Sequence, residues 1–216
     1  FPPSRTVDRL LRARVRGRIF ELARSAGLRA IPTGRREFNR ILDKNRALVD
    51  VVLQLQKADV FLDGSKDPNR LKHLLAANHW NIRVIYLIRD GRGAANSYKR
   101  HHKTSIEAAA REWRLTHEEC DRMISRLSPD SWIMIRYEDL CTDPDGTLAV
   151  LSRFLNLKLA TGNFRSIDHH ILGNAMRLES TSEIRLDDSW RTRLSQQELS
   201  AFERIAGKLN RQYGYE

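Results

Sequence analysis

Three short apolar runs, Val60-Phe61-Leu62, Val84-Ile85-Tyr86-Leu87-Ile88 and Trp132-Ile133-Met134-Ile135, limit what this chain can fold into more than any other feature. Each is too short for a buried helix and rich in β-branched or aromatic residues, so each reads as a buried strand. Apolar residues at helical spacing fill residues 67 to 79, 92 to 103 and 105 to 127 between the runs, and 144 to 156 after the third. Strands joined by crossovers this long pair in parallel, and a parallel sheet needs helices over its faces. The expected fold class is therefore α/β, a parallel sheet flanked by helices. In such sheets ligands bind outside the carboxyl ends of the strands, so functional residues should follow each apolar run.

The first third of the chain reads as helix. Val7, Leu10, Leu11, Val15, Ile19, Leu22 and Ala23 form one stripe over residues 5 to 26, with Arg16 and Arg18 on the solvated side. Gly27 and Ile31-Pro32-Thr33-Gly34 should end that helix, and Phe38, Ile41, Leu42, Leu48, Val51, Val52 and Leu55 form a second stripe. The expected organisation is a single domain over residues 1 to 216. It comprises a helical segment (1 to 56), a sheet core carrying a phosphate site (57 to 160) and a closing segment with a helix (161 to 216).

The 216 residues carry 38 Lys plus Arg against 27 Asp plus Glu, a net charge of +11, with 41% hydrophobic residues. That balance is globular rather than disordered, and its basicity calls for an anionic ligand or partner. No apolar run approaches the ~20 residues of a membrane span, and the N-terminus lacks the pattern of a signal peptide. Cys120 and Cys141 stand outside any metal-ligand spacing and read as free thiols, and there is no Asn-x-Ser/Thr sequon. A reducing compartment, the cytoplasm, fits this usage; the Golgi lumen is the alternative if an anchor precedes the chain.

The segments after the runs are polar. They are Asp63-Gly64-Ser65-Lys66-Asp67-Pro68, then Arg89-Asp90-Gly91-Arg92-Gly93 leading to Ser97, then Arg136-Tyr137-Glu138-Asp139. Cations, hydroxyls and an aromatic ring on one rim suit a nucleotide with several phosphates. Arg grips phosphate bidentately, a helix N-terminus offers N–H groups and an aromatic face packs a base. Asp90 should cap the helix after the second run. Gly91-Arg92-Gly93 lacks the third glycine of a dinucleotide fingerprint. His101 and His102 have no third ligand at metal spacing; His169 and His170 read as structural, with a general base as the alternative.

The stretch from Tyr86 to Arg100, YLIRDGRGAANSYKR, resembles the 3′-phosphate-binding segment of the sulfotransferase superfamily, in which a strand ends in Arg and a Ser follows eight residues later. Ile135 to Leu157 is similar to that family's Tyr-Glu-Asp strand end, Asp-Pro and following helix. Gly173 to Arg177, with Trp190 beyond it, resembles the segment that closes over the nucleotide. Ser65-Lys66-Asp67-Pro68 is similar to the Asn-Lys-Asp-Pro of the tyrosylprotein branch. Together these cover residues 60 to 191. The resemblance implies a sulfotransferase fold of the P-loop type and sulfuryl transfer from 3′-phosphoadenosine-5′-phosphosulfate to a hydroxyl or amine, with no metal. Arg89 and Ser97 would hold the 3′-phosphate, Tyr137, Arg177 and Trp190 would line the adenosine end, and Lys66 would face the transferring group. The acceptor would be a small molecule, a carbohydrate or a peptide.

The family's Gly-x-x-x-Ser-Gly-Thr phosphosulfate loop has no counterpart here, which implies that the first strand and that loop lie upstream of Phe1. The alternative function is a non-catalytic binder of polyanions or nucleic acid, motivated by the +11 charge but lacking any recognisable reading motif. A P-loop kinase relative is a third. A cluster of the excess charge at the strand ends favours the nucleotide site; a continuous stripe over an open surface favours the binder.

Overall fold

In a computed structural model, residues 17–30, 32–158 and 185–216 are described. Arg177, His169, His170 and the Gly173–Arg177 motif lie outside them. The chain divides into two compact units, one of residues 1–82 and 111–127 and one of residues 83–110 and 128–216.

The first unit is helical. Helix α1 spans Arg18–Ala30 and α2 spans Pro32–Gln56, and the two pack on each other. The first helix continues through Gly27 instead of ending there, since one glycine costs a helix only about 1 kcal/mol. Val49 is the buried residue of α2, while Leu48, Val51 and Leu55 from the expected stripe are exposed. Helix α3, Pro68–Ala77, starts with proline in its first turn, and its cap Asp67 accepts the Asn69 N–H at 2.9 Å.

The run Val60-Phe61-Leu62 is not a strand. Its backbone joins no ladder, and Val60 and Leu62 are exposed. Three residues supply too little apolar surface to hold an edge, and what orders the segment is polar. Asp63 accepts the Ser65 N–H at 3.0 Å and the Arg70 Nε at 2.6 Å, and Arg70 Nη1 donates to Asn45 Oδ1 at 3.0 Å. Burial pushes the Asp63 carboxyl up, but the Arg70 and Ser65 hydrogen bonds outweigh it and hold the group below its usual range.

The second unit contains the sheet. Strand β1 (Val84–Ile88) leads to helix α4 (Gly91–His102), and helix α5 (Ile106–Ile124) has its first five residues, through Ala110, in this unit. A single turn at Pro129–Ser131 enters β2 (Trp132–Arg136), which pairs with β1 in parallel from Val84↔Trp132 to Ile88↔Arg136. Two runs thus fold as expected, and the long crossover between them is helical. Helices α6 (Tyr137–Thr142) and α7 (Pro144–Leu155) follow β2. After residue 184 come α8 (Trp190–Arg193), α9 (Gln196–Phe202), a π turn at Glu203–Gly207 and α10 (Lys208–Gln212). Ile88, Ala95, Ala109, Ala110, Phe202 and Ala206 are at most 1% exposed and mark the core. No helix among the described residues is long and apolar enough to cross a membrane.

Candidate functional site

Register brings the two strand ends together. Ile88 and Arg136 are ladder partners, so Arg89 and Tyr137, the next residue on each strand, emerge side by side. The Arg89 guanidinium lies 4.6 Å from the centre of the Tyr137 ring, a cation–π contact. Its Nη2 pairs with the Asp187 carboxylate at 3.1 Å and also meets the Asp187 carbonyl. The Tyr137 hydroxyl donates to the Arg185 carbonyl at 3.2 Å and accepts the Asp187 N–H at 3.1 Å. Burial pushes the Tyr137 phenol up, which keeps it a neutral donor. A Ser189 hydrogen bond and then Arg89 hold Asp187 well down, at about 2, so the site already contains a carboxylate anion. Arg89 therefore pairs with Asp187 and not with the adjacent Asp90.

Three more guanidiniums meet aromatic rings nearby. Arg92 and Arg191 lie over the Trp190 ring at 4.3 and 4.6 Å, and Arg136 lies over Tyr215 at 4.4 Å. Four guanidiniums thus stand near the strand ends, among the carboxylates of Asp90, Glu138, Asp187 and Asp188. Trp190 is buried, 7% exposed, with guanidiniums against it. Gly93 gives Arg89 and Trp190 their room: a Cβ there would stand 3.1 Å from both Arg89 Nε and Trp190 Cδ1. A cavity of about 280 Å³ is lined by Arg92, Arg136, Glu138, Asp187, Trp190 and Tyr215 among others. Of the expected site residues that are described, only Trp190 lines it; Asp187 both lines it and pairs with Arg89.

The N-terminus of α4 differs from expectation. Asp90 does cap it, accepting the Arg92 N–H at 2.9 Å. However, the Gly91 N–H goes to Asn210 Oδ1 at 2.8 Å and the Asp90 N–H to Glu138 Oε1 at 3.1 Å. These three donors are satisfied by protein groups, and the guanidiniums of Arg89 and Arg92 are in turn paired with Asp187 and Asp90. Ser97 is the seventh residue of α4, about two turns in, and is half-buried.

Lys66 belongs to the first unit, on the exposed loop before Asp67, with φ at +58°. The other described non-glycine residues with positive φ, Lys57, Asn78, Lys103 and Asn156, each follow the end of a helix; Lys66 does not. Both cysteines are free, and burial pushes the Cys120 thiol up to about 12. Among the described residues no group of three or more His, Cys, Asp or Glu could hold a metal ion. The sequence reading passed over Asp187, Asn210 and Tyr215. Adjacent acids at Asp187-Asp188 in a chain this basic were the available signal for the first; nothing local distinguishes the others.

Residues 5–161 match the sequence model described as the sulfotransferase family. No curated protein matches the chain. Among solved structures, the sulfotransferase domain from the curacin biosynthetic pathway is 21% identical with a TM-score of 0.58, over 88% of this chain and 77% of that one. The sulfotransferase domain of the Synechococcus PCC 7002 olefin synthase is 18% identical with a TM-score of 0.61, over 88% and 73%. At these identities the two structures establish a shared fold.

Proposed function

The chain belongs to the sulfotransferase family, and from that premise we propose that it moves a sulfuryl group from 3′-phosphoadenosine-5′-phosphosulfate to a hydroxyl or amine of its acceptor. The observation that carries this reading is the Arg89 guanidinium, over the Tyr137 ring at two adjacent parallel strand ends and already bound to an anion. The donor's 3′-phosphate takes the place of the Asp187 carboxylate, gaining a second negative charge against Arg89. Ser97 adds a hydroxyl to that phosphate, and Tyr137, Trp190 and Arg177 serve the adenosine end.

The donor supplies an activated sulfuryl group whose leaving oxygen departs on adenosine 3′,5′-bisphosphate. Little covalent chemistry then falls to the protein. Its residues orient the donor and place positive charge where negative charge develops, as in phosphoryl transfer. Lys66 is assigned the second task; its left-handed backbone, which unlike the others does not follow the end of a helix, is the kind of local strain that collects at functional positions.

Calorimetry with adenosine 3′,5′-bisphosphate and adenosine 5′-phosphate tests the assignment. A charge-assisted pair to phosphate is worth roughly 1.5–3 kcal/mol, so Arg89→Ala should cut the preference for the bisphosphate by about ten- to a hundredfold. An unchanged preference overturns the assignment of Arg89.

A further inference from the structure

Of the two residues assigned to the 3′-phosphate, Arg89 immediately precedes Asp90, the cap of helix α4, and Ser97 lies two turns into it, so the placement of that helix on the sheet sets their aim. Its first amides are held from elsewhere in the same unit. Asn210, 3% exposed on α10, accepts the Gly91 N–H through Oδ1 at 2.8 Å and donates Nδ2 to Asp90 Oδ1 at 3.4 Å. Only a side chain with both a donor and an acceptor can answer an amide N–H and a carboxylate at once, and the two partners fix which way the amide faces. Asp90 is itself 6% exposed and spends the same oxygen on the Arg92 N–H, while its other oxygen pairs with Arg92 Nη2 at 2.7 Å. Glu138, just past β2, takes the Asp90 N–H and accepts the Tyr215 hydroxyl at 2.5 Å. Tyr213 meets Tyr86 of β1, hydroxyl to hydroxyl at 3.0 Å. The last seven residues thus reach β1, the segment after β2 and the start of α4.

We propose that Asn210 is a positioning residue for 3′-phosphate recognition: it fixes the Arg89-to-α4 corner and so sets the preference for a 3′-phosphorylated nucleotide. This rests on the role of Arg89 given above. A buried amide with two partners could equally be a stabilising group alone, and the two roles separate by ligand. Loss of mere stability weakens every ligand by the same factor; loss of aim weakens only the ligand that Arg89 reads.

The experiment measures dissociation constants for adenosine 3′,5′-bisphosphate and adenosine 5′-phosphate with the wild-type protein, Arg89→Ala, Asn210→Leu and Asn210→Asp. Leu removes both hydrogen bonds at similar volume. Asp keeps the acceptor for Gly91 but sets a second carboxylate against Asp90. Both Asn210 variants should lower the bisphosphate preference about five- to tenfold, the scale of one or two lost hydrogen bonds, and leave 5′-phosphate binding within about twofold. Equal weakening of both ligands, or an unchanged preference, overturns the proposal. If Arg89→Ala also leaves the preference unchanged, the reading of Arg89 has failed first. In the unmodified protein, exchange of the Gly91 amide should slow on binding the bisphosphate and not on binding the monophosphate. Should neither Asn210 variant fold, an indifferent Gly91 amide overturns the proposal by itself.

Discussion

At the scale of single residues, the strand-end site is a balance between an internal anion and an external one. Asp187 stays ionised down to about pH 2 and occupies Arg89, so a phosphate must displace it. Asp187→Asn keeps the shape and removes the competing charge. It should tighten adenosine 3′,5′-bisphosphate by several-fold, the scale of a partly exposed ion pair, with little change for the 5′-phosphate. Weaker binding in that variant, measured by calorimetry, would mean that Asp187 orients Arg89 rather than competing for it. Lys66 has a separate prediction because its assigned interaction belongs to the transition state. Removing such a contact lowers kcat and spares donor affinity. Lys66→Ala should cost on the order of a hundredfold in kcat by analogy with loss of one preorganised donor, and Lys66→Arg should restore part of it. A matched loss of affinity and rate would make Lys66 a ground-state contact instead.

At the scale of elements, the strands were legible where apolar runs were long enough to span a ladder. Runs of five residues at Val84–Ile88 and four at Trp132–Ile135 sufficed; three at Val60–Leu62 did not, because an Asx turn at Asp63 and the Arg70–Asn45 link organise that stretch. Helices α3, α4, α5 and α7 were legible from periodicity and caps. Contacts between distant segments were not: Arg89 to Asp187 and Gly91 to Asn210 join residues 98 and 119 positions apart, and no local pattern encodes such a partner. The helical first unit makes a prediction of its own. His73, edge-on to Phe38, and His117, against Trp113, are both held down to about 4 by burial. A coulombic contribution from Lys72 adds to the effect at His73. The unfolded chain binds protons at these two sites below about pH 6.5, and the folded unit does not until about pH 4. Their contribution to stability is therefore full above pH 6.5, falls as the pH drops toward 4 and is level below that. Discounted for partial exposure, each should cost on the order of 1–2 kcal/mol over that window. Urea midpoints at pH 7 and pH 5 should differ accordingly, and His73→Gln should roughly halve the difference, His117 supplying the rest.

At the scale of the whole molecule, the net charge of +11 has to be reconciled with a site proposed to bind one small anion. Long-range positive potential raises the encounter rate with any polyanion, so charge alone does not separate a sulfotransferase from a nucleic-acid binder. Salt dependence does. A protein that reads a nucleic-acid backbone releases one counterion per phosphate it neutralises, and with 6–10 contacts it loses roughly 10³–10⁵ in affinity between about 50 and 200 mM salt. A bisphosphate held by one or two cationic side chains should lose only about three- to tenfold over the same range by that scaling. The four guanidiniums of Arg89, Arg92, Arg136 and Arg191 each rest on an aromatic ring beside the carboxylates of Asp90, Glu138 and Asp187, which is the geometry of a compact site. Titrating the bisphosphate at both salt concentrations, with and without duplex DNA as competitor, should give the shallow dependence and no competition at the higher salt. A steep slope, or displacement of the nucleotide by DNA at the higher salt, would move the assignment to a polyanion-binding surface.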